Sequence, residues 1–410
     1  MQEVVVTGIG VLASLGNEIN AIFDRVLAGT CGITCVGDDQ RGLGDHLEAR
    51  VPDHYIDQLS GHESSGMDRS VAFSMNAARS AWKMAGQPEV NTPDLAVSIS
   101  AGLGGLTSIR ATLDKQRQQH QNTVRASTVP RVMPNAVAAK VAIDLGAQAG
   151  TYSPVSACAS GLEAIALAHG LIASGQAEVV VAGGSEAVLD PLTVMGFGAL
   201  RALSTNTTDP AAASRPFDRE RDGFVLAEGA GVLVLESMTH ARRRSAQVLC
   251  HVEGAGITSD GHHLVAPEPT GLMAAAAMSK ALKMARRTGA DLSGVYAHAT
   301  GTIAGDAAEA YAMRRVFGQD VGDVPVTALK SMTGHLVGAS GPLAAAIAAR
   351  ALSERVITPT PNFVDTDIDV DLNVVAKEPR EMPAGPNALM VNAFGFGGQN
   401  VSLVLSSARG

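Results

Sequence analysis

Cys158 stands among small residues in Val155-Ser156-Ala157-Cys158-Ala159-Ser160-Gly161. An apolar run follows in which Leu162, Ile165, His169 and Ile172 recur at three- and four-residue spacing, and Gly175 closes it. That spacing predicts a helix starting at the cysteine, after β-prone Thr151–Val155 and before a strand in Glu178–Gly184. A sulfur at a helix N-terminus faces unpaired N–H groups and the positive end of the helix dipole, both of which favour a thiolate. The small neighbours leave room for a bulky acyl group and let backbone N–H groups aim at a developing oxyanion. A free cysteine is otherwise a small buried hydrophobe. That simpler reading holds for Cys31, Cys35 and Cys250.

Two histidines share the chemical setting. His298 follows a β-prone run in Tyr296-Ala297-His298-Ala299-Thr300-Gly301-Thr302, and His335 lies in the glycine-rich Lys330–Gly341 stretch. Both fall where a strand ends and a helix begins, the edge at which α/β sheets bind ligands. His46, His54, His62, His120, His262 and His263 have no such context and read as structural or solvated. Two histidines could also hold a metal, but the HExxH spacing and an accompanying carboxylate cluster are missing, so no metal is expected. Asn392–Asn400, with Gly395, Gly397 and Gly398 around Phe394 and Phe396, implies backbone brought close to a ligand with an aromatic gate. Neither this loop nor Gly102-Leu103-Gly104-Gly105 fits a phosphate loop, for want of a following helix pattern in one and a lysine in the other.

The elements that must position these groups alternate. Short β-branched runs begin at Glu3, Asp94, Glu178, Ala230, Gln247, Gly294, Val324, Ala388 and Asn400, and helical patterns cover 271–288, 306–317 and 341–353. Continuous apolar strands between helices imply a sheet covered on both faces, the α/β class, and both halves open with comparable β-then-α material. Thr205–Gly223 is the most loop-like interior stretch. With 410 residues, 46% hydrophobic and 17% charged, the chain reads as a well-buried globular protein of one large or two smaller domains. The net charge of −9 argues against a general nucleic-acid binder, while leaving room for a local basic patch. No segment has the length of a membrane span or the plan of a signal peptide, and four cysteines without a CxxC pair point to a reducing cytoplasm.

Taken in order, Ser156–Gly161, His298–Asp306, Lys330–His335 and Asn392–Gly398 resemble the four active-site blocks of the β-ketoacyl-[acyl-carrier-protein] synthases, the condensing enzymes of fatty acid and polyketide synthesis. The resemblance extends to Val4–Asn17, Val179–Ala187 and Arg201–Glu236, covering essentially the whole chain. It is closest to the elongating type, since two histidines stand where the initiating type has His and Asn. It implies a thiolase-like five-layer αβαβα fold made of two halves, here 1–246 with the nucleophile and 247–410 with the histidines and the phenylalanine loop. It further implies Cys158 as acyl acceptor, His298 and His335 beside it, and Lys330 as the active-site lysine. Phe396 would be the gate, its N–H pairing with that of Cys158 as oxyanion hole, and Leu103 and Phe197, with Phe394, would line the acyl pocket.

The implied partners are an acyl carrier protein and a second subunit, either a copy of this chain or a homologous chain-length factor, with no cofactor beyond the carrier's phosphopantetheine. An acidic carrier calls for a basic patch, for which Arg125, Arg131 and Arg201 are the candidates. Two departures from the family pattern stand out. Ala299 replaces the usual glycine, and Ala344 replaces a glutamate that normally pairs with the lysine. Glu309 is the candidate substitute, and the second change tilts the reading toward a polyketide ketosynthase subunit. The alternative is a non-catalytic chain-length subunit, against which the retained Cys158, His298 and His335 argue. A degradative thiolase would carry a late second cysteine, and none follows Cys250.

Overall fold

The structure, a computed structural model, describes residues 2–37, 43–56, 67–119 and 124–408. His62 and His120 lie outside the described residues.

Two runs of strands repeat one order. In the first, β1 (Val4–Leu12), β2 (Leu95–Ser100), β3 (Gly150–Tyr152), β4 (Val179–Glu186) and β5 (Gly229–Ser237) lie as β1-β5-β4-β2-β3. In the second, β6 (Cys250–Ser259), β7 (Gly294–Tyr296), β8 (Pro325–Thr327), β9 (Asn373–Val374), β10 (Ala388–Gly395) and β11 (Gln399–Ser407) lie as β6-β11-β10-β7-β8-β9. In each run the first strand pairs antiparallel with the last, the last antiparallel with the one before it, and the remainder are parallel. The runs join where Val4–Val6 of β1 pair antiparallel with Cys250–Val252 of β6.

The period-two alternation of these strands sorts their side chains into separate cores. Leu233 and Leu235 of β5 face a central core, while Val232 and Val234 face an outer one. Likewise Val401, Leu403 and Leu405 of β11 face the centre, and Val404 faces the opposite outer core. Helix α1 (Arg69–Met84) covers the first outer face, and α3 (Leu272–Ala285) with α4 (Ile303–Phe317) covers the other. Helices α2 (Ser160–Ala173) and α5 (Ser340–Glu354) fill the centre, with Leu162, Ile165, Leu343 and Ile347 fully buried between the sheets. The sequence-derived helices at 271–288, 306–317 and 341–353 correspond to α3, α4 and α5. Thr205–Gly223 is irregular apart from a short turn at Pro210–Ala212. Among the described residues, no helix is long and apolar enough to cross a membrane.

Glycine sets the strand-to-helix spacing twice. A Cβ at Gly10 would overlap the carbonyl oxygen of Ala77 in α1, and one at Gly256 would overlap that of Ala277 in α3. The match extends to sulfur: Ile9 N–H donates to Met84 Sδ at 3.3 Å and Ala255 N–H to Met284 Sδ at 3.4 Å. A methyl group at either glycine must therefore push a helix off its strand, which typically costs about 1–3 kcal/mol. Gly10→Ala and Gly256→Ala are each expected to lower the unfolding temperature in calorimetry; an unchanged midpoint for both would contradict the packing described.

Candidate active site

Cys158 sits in a single 3-10 turn, Ala157–Ala159, that leads directly into α2. A matching turn, Val337–Ala339, leads into α5. Ala157 and Val337 both hold the left-handed conformation, with φ of 51° and 46°. That conformation costs a non-glycine residue about 1–2 kcal/mol and turns the next side chain sharply out of the strand. The serine opening each helix accepts the N–H four residues back, from Ser156 to Ser160 Oγ at 2.9 Å and from Leu336 to Ser340 Oγ at 2.8 Å.

These two turns bring sulfur and imidazole together: His335 Nε2 lies 3.1 Å from Cys158 Sγ. The His298 and His335 rings are 5.5 Å apart and nearly perpendicular. Lys330, itself buried, donates from Nζ to the backbone oxygen of His298. The N–H groups of Phe396 and of Cys158 itself point at the sulfur. Gly395 permits that approach, since a Cβ there would meet the Ser156 carbonyl and lie 3.1 Å from Cys158 N.

Cys158, His298, His335 and Lys330 are all buried, and burial dominates their protonation. It pushes the Cys158 thiol up to about 12, with the charge of Lys330 and the two N–H groups pulling the other way. The helix-terminus argument for a ready thiolate is thus outweighed, because the closed site withholds water from the charge. Burial also holds His298 and His335 well below the ordinary histidine value, helped by Lys330, and lowers Lys330 to about 8. At neutral pH both imidazoles are therefore neutral and each offers one N–H.

Glu309 does not pair directly with Lys330. Its carboxylate accepts the N–H groups of His298 at 2.9 Å and Ala299 at 2.7 Å and the Asn392 amide at 3.1 Å, and Ser402 Oγ donates to Asn392 at 2.7 Å. It acts on the lysine through space and holds the His298 turn, in which Ala299 is forced to a φ of 25°. Ala344 packs, half-buried, against the central core.

A cavity of about 330 Å³ opens in front of the sulfur, lined among others by Cys158, His298, His335, Phe197, Phe394 and Phe396. The Phe396 ring lies 6.1 Å from Phe197, and Phe224 stands edge-on to His335 at 5.1 Å. Arg201 also lines this cavity. Leu103 does not: its side chain is 42% exposed, while its N–H donates to Glu186. Arg125 is exposed elsewhere, and Arg131 lines a separate hollow beside Arg110.

Sequence reasoning passed over Glu186. Its buried carboxylate accepts N–H groups from Gly102 at 2.7 Å, Leu103 at 3.1 Å and Gly338 at 3.1 Å, tying the first sheet to the turn beside His335. Burial nonetheless pushes it up to about 7. The signal was a lone acid closing an apolar strand, which calls for buried donors.

Two matched sheet halves enclosing a pair of central helices, with the reactive turns at the helix N-termini, define a thiolase-like fold. The chain matches the beta-ketoacyl synthase N-terminal domain over residues 1–241 and the C-terminal domain over 249–364. It belongs to the β-ketoacyl synthase family and is an acyltransferase of the ketosynthase type. It is 40% identical over 405 residues to 3-oxoacyl-[acyl-carrier-protein] synthase 2 of Mycobacterium tuberculosis, spanning 98% of this chain and 96% of that one. Among solved structures, a type II polyketide ketosynthase in complex with its acyl-carrier protein and bound to the hexaketide aligns over 100% of both chains, with TM-score 0.91 and 27% identity. The ishigamide ketosynthase/chain length factor aligns over 100% of both chains, with TM-score 0.88 and 28% identity.

Because burial holds the thiol neutral and Lys330 opposes it, alkylation of Cys158 by iodoacetamide is expected to quicken steadily with pH beyond 9. Lys330→Met should slow it about two- to tenfold at pH 7, where the lysine still carries its charge. An equal rate in the variant would remove Lys330 from the electrostatics of the sulfur.

Proposed function

We propose that Cys158 accepts an acyl group from an acyl carrier protein and passes it to a malonyl-derived carbanion, as the ketosynthase subunit of a type II polyketide system. The observation that carries the reading is the sulfur 3.1 Å from one neutral imidazole and facing two backbone N–H groups. In the first step the sulfur attacks the carrier thioester carbonyl, and the N–H groups of Phe396 and Cys158 hold the oxyanion. The C–S bond to the carrier breaks, and the proton lost by Cys158 leaves on the pantetheine sulfur.

In the second step malonyl-carrier thioester loses carbon dioxide, and the enolate oxygen takes N–H bonds from His298 and His335. Neutral imidazoles suit this, since they stabilise developing charge without trapping the product as an ion pair. The carbanion bonds to the acyl carbon, the Cys158 thiolate departs and takes up one proton, and the product is two carbons longer. Lys330 acts by fixing the His298 backbone and by its charge. Phe396 gates the cavity, and Phe197 and Phe394 line it. The reading calls for no cofactor besides the carrier's phosphopantetheine and places the reaction in the cytoplasm.

The polyketide assignment draws on Ala344 and on the likeness to a type II polyketide ketosynthase and to a ketosynthase/chain length factor. The chain divides at 246/247 into its two halves, for which the repeated strand order is the support. A second subunit, a copy of this chain or a chain-length factor, fits the apolar face around Ile109, Leu113, Val129, Met133, Leu192 and Met195, all well exposed in the single chain. The Arg110–Asp190 ion pair ties its helices together. Exposed Leu103 belongs beside that face and would meet the acyl chain only in the assembled dimer.

Intact mass after mixing with acyl-carrier thioester is expected to show an acyl adduct on the wild type and none on Cys158→Ala. An adduct on both, or on neither even with a co-expressed homologous subunit, would overturn the assignment. Of the candidate carrier-binding arginines, Arg201 alone is at the cavity. Arg201→Glu is expected to raise KM for carrier-bound substrate about three- to tenfold, as loss of a rim charge does, and to spare a small thioester mimic. Equal change with both substrates would place Arg201 outside carrier recognition; Arg125→Glu and Arg131→Glu serve as the parallel cases.

A further inference from the structure

The matched turns differ in where their serine sends its proton. Ser160 Oγ accepts Ser156 N–H and donates to the Ala157 carbonyl at 2.7 Å, the ordinary local closure of a helix start. Ser340 Oγ accepts the equivalent N–H, from Leu336, but its second partner is His335 Nδ1 at 2.9 Å. Ser340 is buried, and these are the polar partners the structure gives its hydroxyl. Were Nδ1 to carry the proton, it would donate to Ser340 Oγ, and a buried hydroxyl hydrogen would be left without an acceptor. With the hydroxyl donating to Nδ1, its hydrogen has an acceptor and its oxygen keeps the Leu336 N–H.

We infer that Ser340 is a positioning residue that fixes His335 as the Nε2–H tautomer. This rests on the ketosynthase reading for its purpose, though not for its geometry. The Nε2–H then points at Cys158 Sγ over 3.1 Å in the free enzyme. Once the sulfur is acylated, the same N–H is free to face the cavity, where the enolate oxygen forms. A group that orients the working imidazole through its far nitrogen is the general logic of such sites. Ser340 does so from the first residue of α5, so the helix start and the catalytic tautomer are set by one hydroxyl. The proton on Nε2 is supplied by the choice of tautomer and needs no external donor.

The test is a 15N spectrum of histidine-labelled protein, with the His335 ring signals identified by their loss in His335→Gln. The wild type is expected to show a protonated Nε2 and an acceptor Nδ1, and Ser340→Ala to shift population toward the Nδ1–H form. In steady state Ser340→Ala should lower kcat for malonyl decarboxylation about tenfold, less than the roughly 100-fold or more lost when a donor is removed outright because the imidazole itself remains, with KM unchanged. A protonated Nδ1 in the wild type overturns the inference, whatever the variant does to folding. So does Ser340→Ala with an unchanged tautomer. Absence of an acyl adduct on wild-type Cys158 would instead overturn the ketosynthase reading and leave the tautomer result standing.

Discussion

The structure hinges on a contact with almost no side chain in it. A Cβ at Gly161, the second residue of α2, would overlap the backbone oxygen of Gly338, and a Cβ at Gly184 in β4 would lie 2.6 Å from that oxygen and 3.0 Å from Gly161 Cα. Three glycines from three elements thus meet backbone to backbone, and only their absent side chains permit it. Because α2 and α5 approach this closely at their N-termini, the turns preceding them lie side by side, and a sulfur on one reaches an imidazole on the other. Widening the contact by a methyl group would move the two reactive atoms out of hydrogen-bond reach.

Close backbone packing also explains the composition. Small residues let helices sit on strands at Gly10 and Gly256, and the volume that aromatics would fill elsewhere is taken up by helix backbone. The same density excludes water from the site, so burial decides the charge of each group: thiol protonated, imidazoles neutral, lysine brought down toward neutrality. The thiol and both imidazoles rest uncharged where charge must later be stabilised, with Lys330 the cation beside them, and the fixed N–H groups are already in place for that task.

The sequence made some of this legible and hid the rest for physical reasons. Most of the long strands were plain because they are buried on both faces and read as unbroken apolar runs, whereas β3 and β9, two or three residues long and partly exposed, gave no such run. Helices α3, α4 and α5 were visible from their apolar spacing. Helix α1 was not, because its buried face carries Ser70, Ser74 and Asn76, which find backbone and carboxylate partners that no periodicity reveals. Residues 106–119 are helical with a largely polar sequence, so the pattern there is faint. The grouping of Cys158, His298, His335 and Phe396 followed from motif order; the hydrogen bonds of Glu186, Glu309 and Ser340 did not, since they depend on partners more than 80 residues away or on which lone pair a hydroxyl uses. Burial reversed the expected direction of the Cys158 shift, because a helix end is a local property and exclusion of water is a global one.

The matched turns also divide their space unequally. Aligned by their opening serines, the position of Cys158 in one turn is Gly338 in the other. Where one turn carries a sulfur the other carries only hydrogen, and into that gap Glu186 extends to take the Gly338 N–H. The pseudo-twofold relation between the halves is therefore broken at its own axis. A side chain at Gly338 would meet Gly102 N and Glu186 Oε2 and leave the acid no way across. The molecule keeps the symmetric scaffold for rigidity and gives up symmetry at one residue to obtain a front and a back, so that acyl group and nucleophile meet from a single direction.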